Sequence, residues 1–387
     1  VHYRGAIATV LVAALAAVAT QSSSASRYLR VGIYDQAQTL YANTAQTFAT
    51  FKTLHVQEVR LELQWGGPNG VARSRPAQPA NPADPAYDWT IYDNAVREAA
   101  ANGMHVLLSI YGTPSWANGG KGENVAPTSS IELRDFAYAA ARRYSGTYLD
   151  ASGQKLPAVK DWLAWNEPNN PIFLTPQYKR VGTQWVIESA VSYAAICNAI
   201  YDGVHSTLVS GERVGCGATA PRGNNSPTSS RPSVSPLVFL HAVKADGLRT
   251  FDAWAHHPYY AGPADSPAAR TDLGAGVDEA VTLGNLNDLI STVTQLYGNK
   301  RIWITEYGYQ TNPPDSLFGV SWAKQAAYLT QAFEIARANP RVDMMVWFLL
   351  KDQTNLAAWQ SGLITAAGKK KPSFIAFERV AAKLQGS

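Results

Sequence analysis

A single α/β barrel of eight strand–helix units, (β/α)8, is the fold class this sequence predicts. Three observations predict it. After residue 27, short β-type runs alternate with helical runs eight times. Several strands are continuous apolar runs, the pattern of strands covered on both faces. Long Gly-, Pro- and Ser-rich segments follow the strands, whereas the returns from helix to strand are short, which places any site on the C-terminal rim. The chain has 387 residues, 46% hydrophobic and 16% charged, enough to build a large core. Residues 27–387 show no linker, no internal repeat and no second compositional block, so they are expected to form one domain.

The elements follow in order. The predicted strands are Leu29–Tyr34, Glu58–Gln64, His105–Ile110, Val159–Trp165, Arg213–Ala218, Phe251–His256, Arg301–Thr305 and Val342–Phe348. The predicted helices are Thr44–Leu54, Trp89–Ala101, Ile131–Tyr144, Gln177–Val204, Leu237–Ala245, Asn285–Leu296, Ser321–Ala338 and Ser373–Lys383. Ile131, Phe136, Ala139 and Ala140 fall on one helical face. Asn102-Gly103 ends the second helix. The long segments 66–85, 112–130, 221–235, 258–276, 307–319 and 350–371 all lie on the strand-to-helix side. The Pro-rich stretch Pro76–Pro85 sits between the second strand and helix and is read as a rim loop.

Residues 1–26 have the form of a secretory signal: Arg4, an apolar stretch from Ala6 to Ala19, then small polar residues with a cleavage site near Ala25. That stretch is shorter than the ~20 residues of a membrane span. The expectation is a secreted chain, extracellular or periplasmic if the source has an outer membrane, with no membrane association after cleavage. A net charge of +4 is too small and scattered for nucleic-acid binding. Lys369-Lys370-Lys371 reads as a solvated loop rather than a docking patch. Oligomeric state is not readable. Export permits a bond between Cys197 and Cys216, but a helix packed on a strand usually holds Cα atoms too far apart, so the reading favours two buried free thiols.

No metal and no cofactor is expected. Cys-x-x-Cys and His-Glu-x-x-His are absent, and so is a Gly-x-Ser-x-Gly elbow. Gly215-Cys216-Gly217-Ala218-Thr219-Ala220 matches a dinucleotide fingerprint, but Pro221 and a Gly/Asn/Ser/Pro stretch follow where a helix should begin. His256-His257 suggests metal binding, yet neighbours on a strand point to opposite faces.

The chemistry sits in two matched settings. Glu167 follows the fourth strand in Trp165-Asn166-Glu167-Pro168-Asn169, and Glu306 follows the seventh in Trp303-Ile304-Thr305-Glu306-Tyr307-Gly308. Two carboxylates on stiff strand ends can work as proton donor and anion on a glycosidic bond. One such Glu is more simply a helix cap or an arginine partner. The pair favours catalysis.

These runs resemble the barrel glycoside hydrolases of clan A, over roughly residues 29–383. Asn166-Glu167-Pro168 and the short Thr-Glu-Tyr-Gly and His-Pro-Tyr runs look most like family 39, with family 5 next. The resemblance implies that Glu167 is the acid/base and Glu306 the nucleophile of a retaining double displacement, with carboxyl groups ~5–5.5 Å apart. It implies that Arg60, on the second strand, supports the nucleophile by charge proximity; the plainer reading is a structural ion pair with Glu62. It gives Asn166 a bond to the sugar 2-hydroxyl, Tyr259 a bond to the nucleophile, His257 an orienting role, and Trp347 the floor of the sugar site. Among the rim aromatics Trp65, Tyr111, Trp116, Tyr260, Tyr307, Tyr309 and Trp359, Trp65 and Trp116 are the first candidates for stacking on sugar rings. The substrate class is an oligosaccharide or polysaccharide. Residues 350–387 are too few for the β-sandwich domain of many family 39 β-xylosidases, which counts against plain β-xylosidase activity and leaves arabinosidase, glucanase and diglycosidase activities open. The alternative is a catalytically silent carbohydrate-binding barrel.

Overall fold

The computed structural model describes residue 26 and residues 29–270 and 280–385. The expected signal segment lies outside the described residues, apart from Ser26. The barrel strands are β1 (Arg30–Tyr34), β2 (Glu58–Gln64), β3 (His105–Tyr111), β4 (Asp161–Ala164), β7 (Arg213–Thr219), β8 (Ala253–His256), β9 (Arg301–Tyr307) and β10 (Val342–Phe348); β5 (Lys179–Val181) and β6 (Gln184–Val186) form a separate two-stranded hairpin. The barrel closes in the order β1-β10-β9-β8-β7-β4-β3-β2, with every pairing parallel. Around it lie α1 (Thr44–Thr53), α2 (Thr90–Ala101), α3 (Ser130–Arg143), α4 (Glu188–His205), α5 (Pro236–Ala245), α6 (Leu286–Tyr297), α7 (Trp322–Ala338) and α8 (Pro372–Gln385). This is the (β/α)8 barrel that the alternation predicts.

Local chemistry sets the boundaries. Asn43 and Ser321 cap α1 and α7 by accepting from the amides of Gln46 and Lys324. Pro236 opens α5, where its missing N–H costs nothing. Strand alternation divides the core into two apolar layers. Outward-facing Val59, Leu61, Leu63, Ile302, Ile304 and Met345 pack under the helices. Inside the barrel, Leu107, Leu163, Ala253, Ala255, Trp303, Met344 and Val346 fill the middle, with Tyr34 above them. A Cβ on Gly215 would sit 2.6 Å from the Trp303 ring, and one on Gly217, whose φ is +98°, 2.6 Å from the Ala255 carbonyl. The glycines of the dinucleotide-like run thus make room inside the barrel.

Three expectations are corrected. The helix predicted over Gln177–Val204 starts only at Glu188, because Gly182-Thr183 turns the preceding residues into the β5–β6 hairpin, with Gly182 at φ +60° and Val181, Trp185 and Val186 favouring extended backbone. Cys197 and Cys216 are disulfide-bonded, with Cα atoms 6.1 Å apart. Small residues Ala190 and Ala194 share the buried side of α4 with Cys197, and Tyr193 ties the helix to the strands by donating to the Ala164 carbonyl and accepting from the Gly217 amide. The helix therefore lies close enough to β7 for a bond. Lys371 is buried, not solvated: its ammonium donates to Asp352 and to Thr311 Oγ1, both at 2.8 Å, pinning the loop before α8 against the loop after β9. No described helix is long and apolar enough to cross a membrane.

Candidate active site

The site is built around Arg60. Inward alternation on β2 points Arg60 into the barrel, where it is fully buried. Its Nη1 donates to Glu306 Oε1 at 2.6 Å and to the Thr305 carbonyl at 3.2 Å, and its Nη2 donates to Asn166 Oδ1 at 2.8 Å. The guanidinium also lies 4.6 Å from the centre of the Tyr34 ring. The ion pair is therefore with Glu306, not with Glu62.

Glu306 takes its second hydrogen bond from Tyr259, whose Oη donates to Oε2 at 3.1 Å. Thr305 and Glu306 are neighbours, yet both reach this cluster. The register between β9 and β10 slips between Met345 and Trp347, an irregularity that re-aims a side chain at the strand end.

Glu167 lies three residues beyond β4, at a φ of +35°. Its amide donates to the Ala218 carbonyl at 2.9 Å, and Asn169 holds the loop by bonding to Ala220 and Val234. The carboxyl receives Asn170 Nδ2 at 2.9 Å on Oε2 and lies 3.0 Å from His257 Nδ1 through Oε1. Burial pushes its pKa up to about 7, against the pull of Asn170 and Arg60.

His257 connects the two carboxyls. Its Nε2 lies 3.4 Å from Arg60 Nη1, which can only donate, and 3.0 Å from Thr305 Oγ1. Burial lowers its pKa to about 4, so the ring is neutral near pH 7. Nε2 is then the acceptor and Nδ1 carries the proton toward Glu167. His256 faces the other way, bonded to Thr219 and the Val281 carbonyl. Glu167, His257 and Glu306 each offer a ligand atom within 4.8 Å of the others. That spacing would fit a cation, but the Arg60 guanidinium already occupies the side of Glu306 and opposes one.

The aromatic residues divide by strand parity. Trp65 is fully buried on the outer side of β2, stacked on Phe136 of α3 with centroids 5.8 Å apart, so it is a packing residue and not a sugar platform. Trp116 packs edge-on against Trp65, donates to the Ala72 carbonyl and lies under Arg75. Trp347 is also fully buried and outward-facing, with its Nε1 bonded to the Ser361 carbonyl, so it does not floor the site. The next residue, Phe348, faces inward, 5.4 Å from Tyr34 and 5.3 Å from Trp359. Trp359 in turn lies 5.5 Å from Tyr259. Tyr34, Phe348 and Asn170 were missed in the sequence; for the first two the signal was their even-numbered inward positions on β1 and β10.

Arg60, Asn166, His257, Tyr259, Glu167 and Glu306 thus meet in one cluster, and Trp65, Trp116 and Trp347 lie outside it. A profile described as glycosyl hydrolase catalytic core matches residues 280–374, which include Glu306. No curated protein matches the chain. Among solved structures, a family 39 glycoside hydrolase from Bacteroides cellulosilyticus WH2 is similar at 16% identity and a TM-score of 0.60, over 94% of this chain and 65% of that one. The chain thus spans just under two thirds of that enzyme. A glucosidase from Croceicoccus marinus is similar at 14% identity and a TM-score of 0.63, over 93% of this chain and 70% of that one. An endo-β-1,4-glucanase from Xanthomonas axonopodis pv. citri is similar at 16% identity and a TM-score of 0.55, over 92% of this chain and 99% of that one. At such identities the likeness establishes the barrel fold. Together with the matched profile it supports the resemblance to the clan A barrel glycoside hydrolases.

Proposed function

We propose that this chain is a secreted, retaining glycoside hydrolase acting on oligosaccharides or polysaccharides. The observation that carries the reading is the placement of the two glutamates, with carboxyl oxygens within 4.8 Å of each other and unlike surroundings. Retaining enzymes hold their carboxyl groups ~5–5.5 Å apart, and inverting enzymes ~6.5–9.5 Å apart to admit a water. Glu306, with Arg60 as counter-ion and Tyr259 as donor, is placed to attack the anomeric carbon. Glu167, half-buried and raised to about 7, keeps a proton to give to the leaving oxygen. Once the glycosyl–Glu306 ester has formed, the Glu167 anion takes a proton from the water that cleaves it. His257 Nδ1–H stabilises that anion. Arg60 fixes the Asn166 amide with Oδ1 toward itself, which leaves Nδ2 free to donate to a sugar hydroxyl beside the nucleophile.

Xylosidase, arabinosidase, glucanase and diglycosidase activities all fit this machinery, and a panel of aryl glycosides separates them. The Glu306→Ala variant is expected to fold and to lose aryl release by several orders of magnitude. NMR of the first-formed product is expected to show the substrate's own anomeric configuration. Turnover like wild type in Glu306→Ala, or an inverted product, would overturn the assignment.

A further inference from the structure

The inner face of β2 carries Glu58, Arg60, Glu62 and Gln64 in succession, and only some of them are partnered. Glu58 pairs with Arg30 at 2.5 Å, and Arg60 pairs with Glu306 at 2.6 Å. Glu62 is 9% exposed, and among the described residues no cation lies within ion-pair distance of it. Among the described residues its carboxyl takes one side-chain hydrogen bond, from Gln64 Nε2 at 3.5 Å, the outer limit for such a bond. A buried carboxyl left this way is costly unless donors arrive from elsewhere. It stands one inward position above Arg60, ~6–7 Å further toward the mouth. Tyr34, whose ring carries the Arg60 guanidinium and faces Phe348, is the partner of Arg60 on β1 and so lies one inward position below Glu62.

We propose that Glu62 is a specificity-determining residue, whose carboxyl accepts hydrogen bonds from hydroxyls of the sugar bound beside Glu306, on the side of the ring away from the anomeric carbon. The inference rests on the hydrolase reading and adds a contact to it. The distance fits: an anomeric carbon at Glu306 puts the far hydroxyls of the same ring about one ring-width up the β2 side. The partner is a hydroxyl rather than a cation, because Arg60 already supplies positive charge next to Glu62. The burial that raises the Glu62 pKa to about 7 agrees with a group waiting for donors.

The test pairs variants with substrates. Wild type, Glu62→Ala and Glu62→Gln are assayed on the best aryl glycoside of the panel and on its monodeoxy analogues. In wild type, one monodeoxy analogue is expected to lose about 10- to 100-fold in kcat/KM relative to the parent sugar. In Glu62→Ala that gap should close to about threefold or less, because the partner of the missing hydroxyl is gone. Glu62→Gln, which keeps the shape and one acceptor, should fall between and carries the comparison if Glu62→Ala does not fold. An undiminished gap in both variants, or a wild type indifferent to every deoxygenation, overturns the proposal. A wild type inactive on the whole panel removes the hydrolase reading and this inference with it. An active wild type without the coupling removes the inference alone.

Discussion

At the floor of the barrel, the residues that open the strands form an alternating chain of charge: Glu58, Arg30, Asp161, Arg213, Asp343 and Arg301, each within 2.5–3.1 Å of the next. At the mouth, Glu62, Glu167 and Glu306 share the neighbourhood of one buried arginine, Arg60. The floor sets three carboxyls against three arginines, so each has a cation beside it, and yet burial raises Glu58 to about 8. The mouth has more carboxyls than buried cations, and burial pushes both Glu62 and Glu167 up to about 7. Matched charges form a structural joint. A retained proton does not by itself mark the mouth: the Glu58 side chain is sealed, whereas those of Glu167 and Glu306 are 13% and 10% exposed, so only at the mouth can a proton be given away.

The sharpest way to break this contrast is to remove one arginine from each layer. Arg60→Met strips Glu306 of its counter-ion and frees the Asn166 amide to turn. It is expected to cut kcat/KM by about 10²–10³-fold. Arg213→Met leaves Asp161 with Arg30 and Asp343 with Arg301. It is expected to cost about 1–2 kcal/mol of stability, read by thermal or denaturant unfolding, with kcat unchanged below the transition. Equal losses of kcat in the two variants would mean that the layers are not functionally distinct.

A proton retained at the mouth also leaves a trace in stability. Between the ordinary Glu pKa and about 7, the native protein holds a proton on Glu167 that the unfolded chain releases. This part of the stability is therefore lost as pH rises from about 4.5 to about 7. Glu167→Gln removes the ionisation. Its Tm relative to wild type is expected to be about 2 °C higher at pH 8 and the same at pH 4.5. Wild-type kcat should fall above pH 7 as the acid deprotonates. A Glu167→Gln protein with no pH-dependent gain in Tm would show that Glu167 is ionised in the native state.

Much of this was legible in the sequence, and the failures have physical causes. The barrel could be read because eight apolar runs alternate with amphipathic ones. Glu167, Glu306, Asn166, His257 and Tyr259 could be brought together from the sequence because strand ends carry them, and Arg60 because inward parity on β2 aims it at them. Composition alone does not place the aromatic residues, because strand parity decides which of them face inward. Arg60 faces inward, so Trp65, at odd spacing from it just past the end of β2, faces out, and Phe348 rather than Trp347 faces in. Lys371 was misread because a run of three lysines looks solvated, and nothing local shows that Asp352, 19 residues earlier, comes to meet it. The alternating floor was overlooked because its members are each unremarkable until the barrel closes and brings strand starts side by side.

The smallest expected effect lies at the end of that floor. Arg301 pairs with Asp343 at 2.6 Å, but its side chain is 42% exposed. Water screens such a pair, and holding a long side chain in one geometry offsets part of the attraction. Arg301→Gln should therefore cost only about 0.5 kcal/mol. The interior members are different. Asp161 is almost fully buried and accepts from two arginines, so it has no water to fall back on. A double-mutant cycle of Arg301→Gln with Asp343→Asn, read by urea unfolding, should give a coupling of about 0.5 kcal/mol that shrinks in high salt. A coupling of several kcal/mol would show that the exposed end is held as rigidly as the Arg60–Glu306 pair. The difference between floor and mouth would then lie in charge balance alone, not in burial.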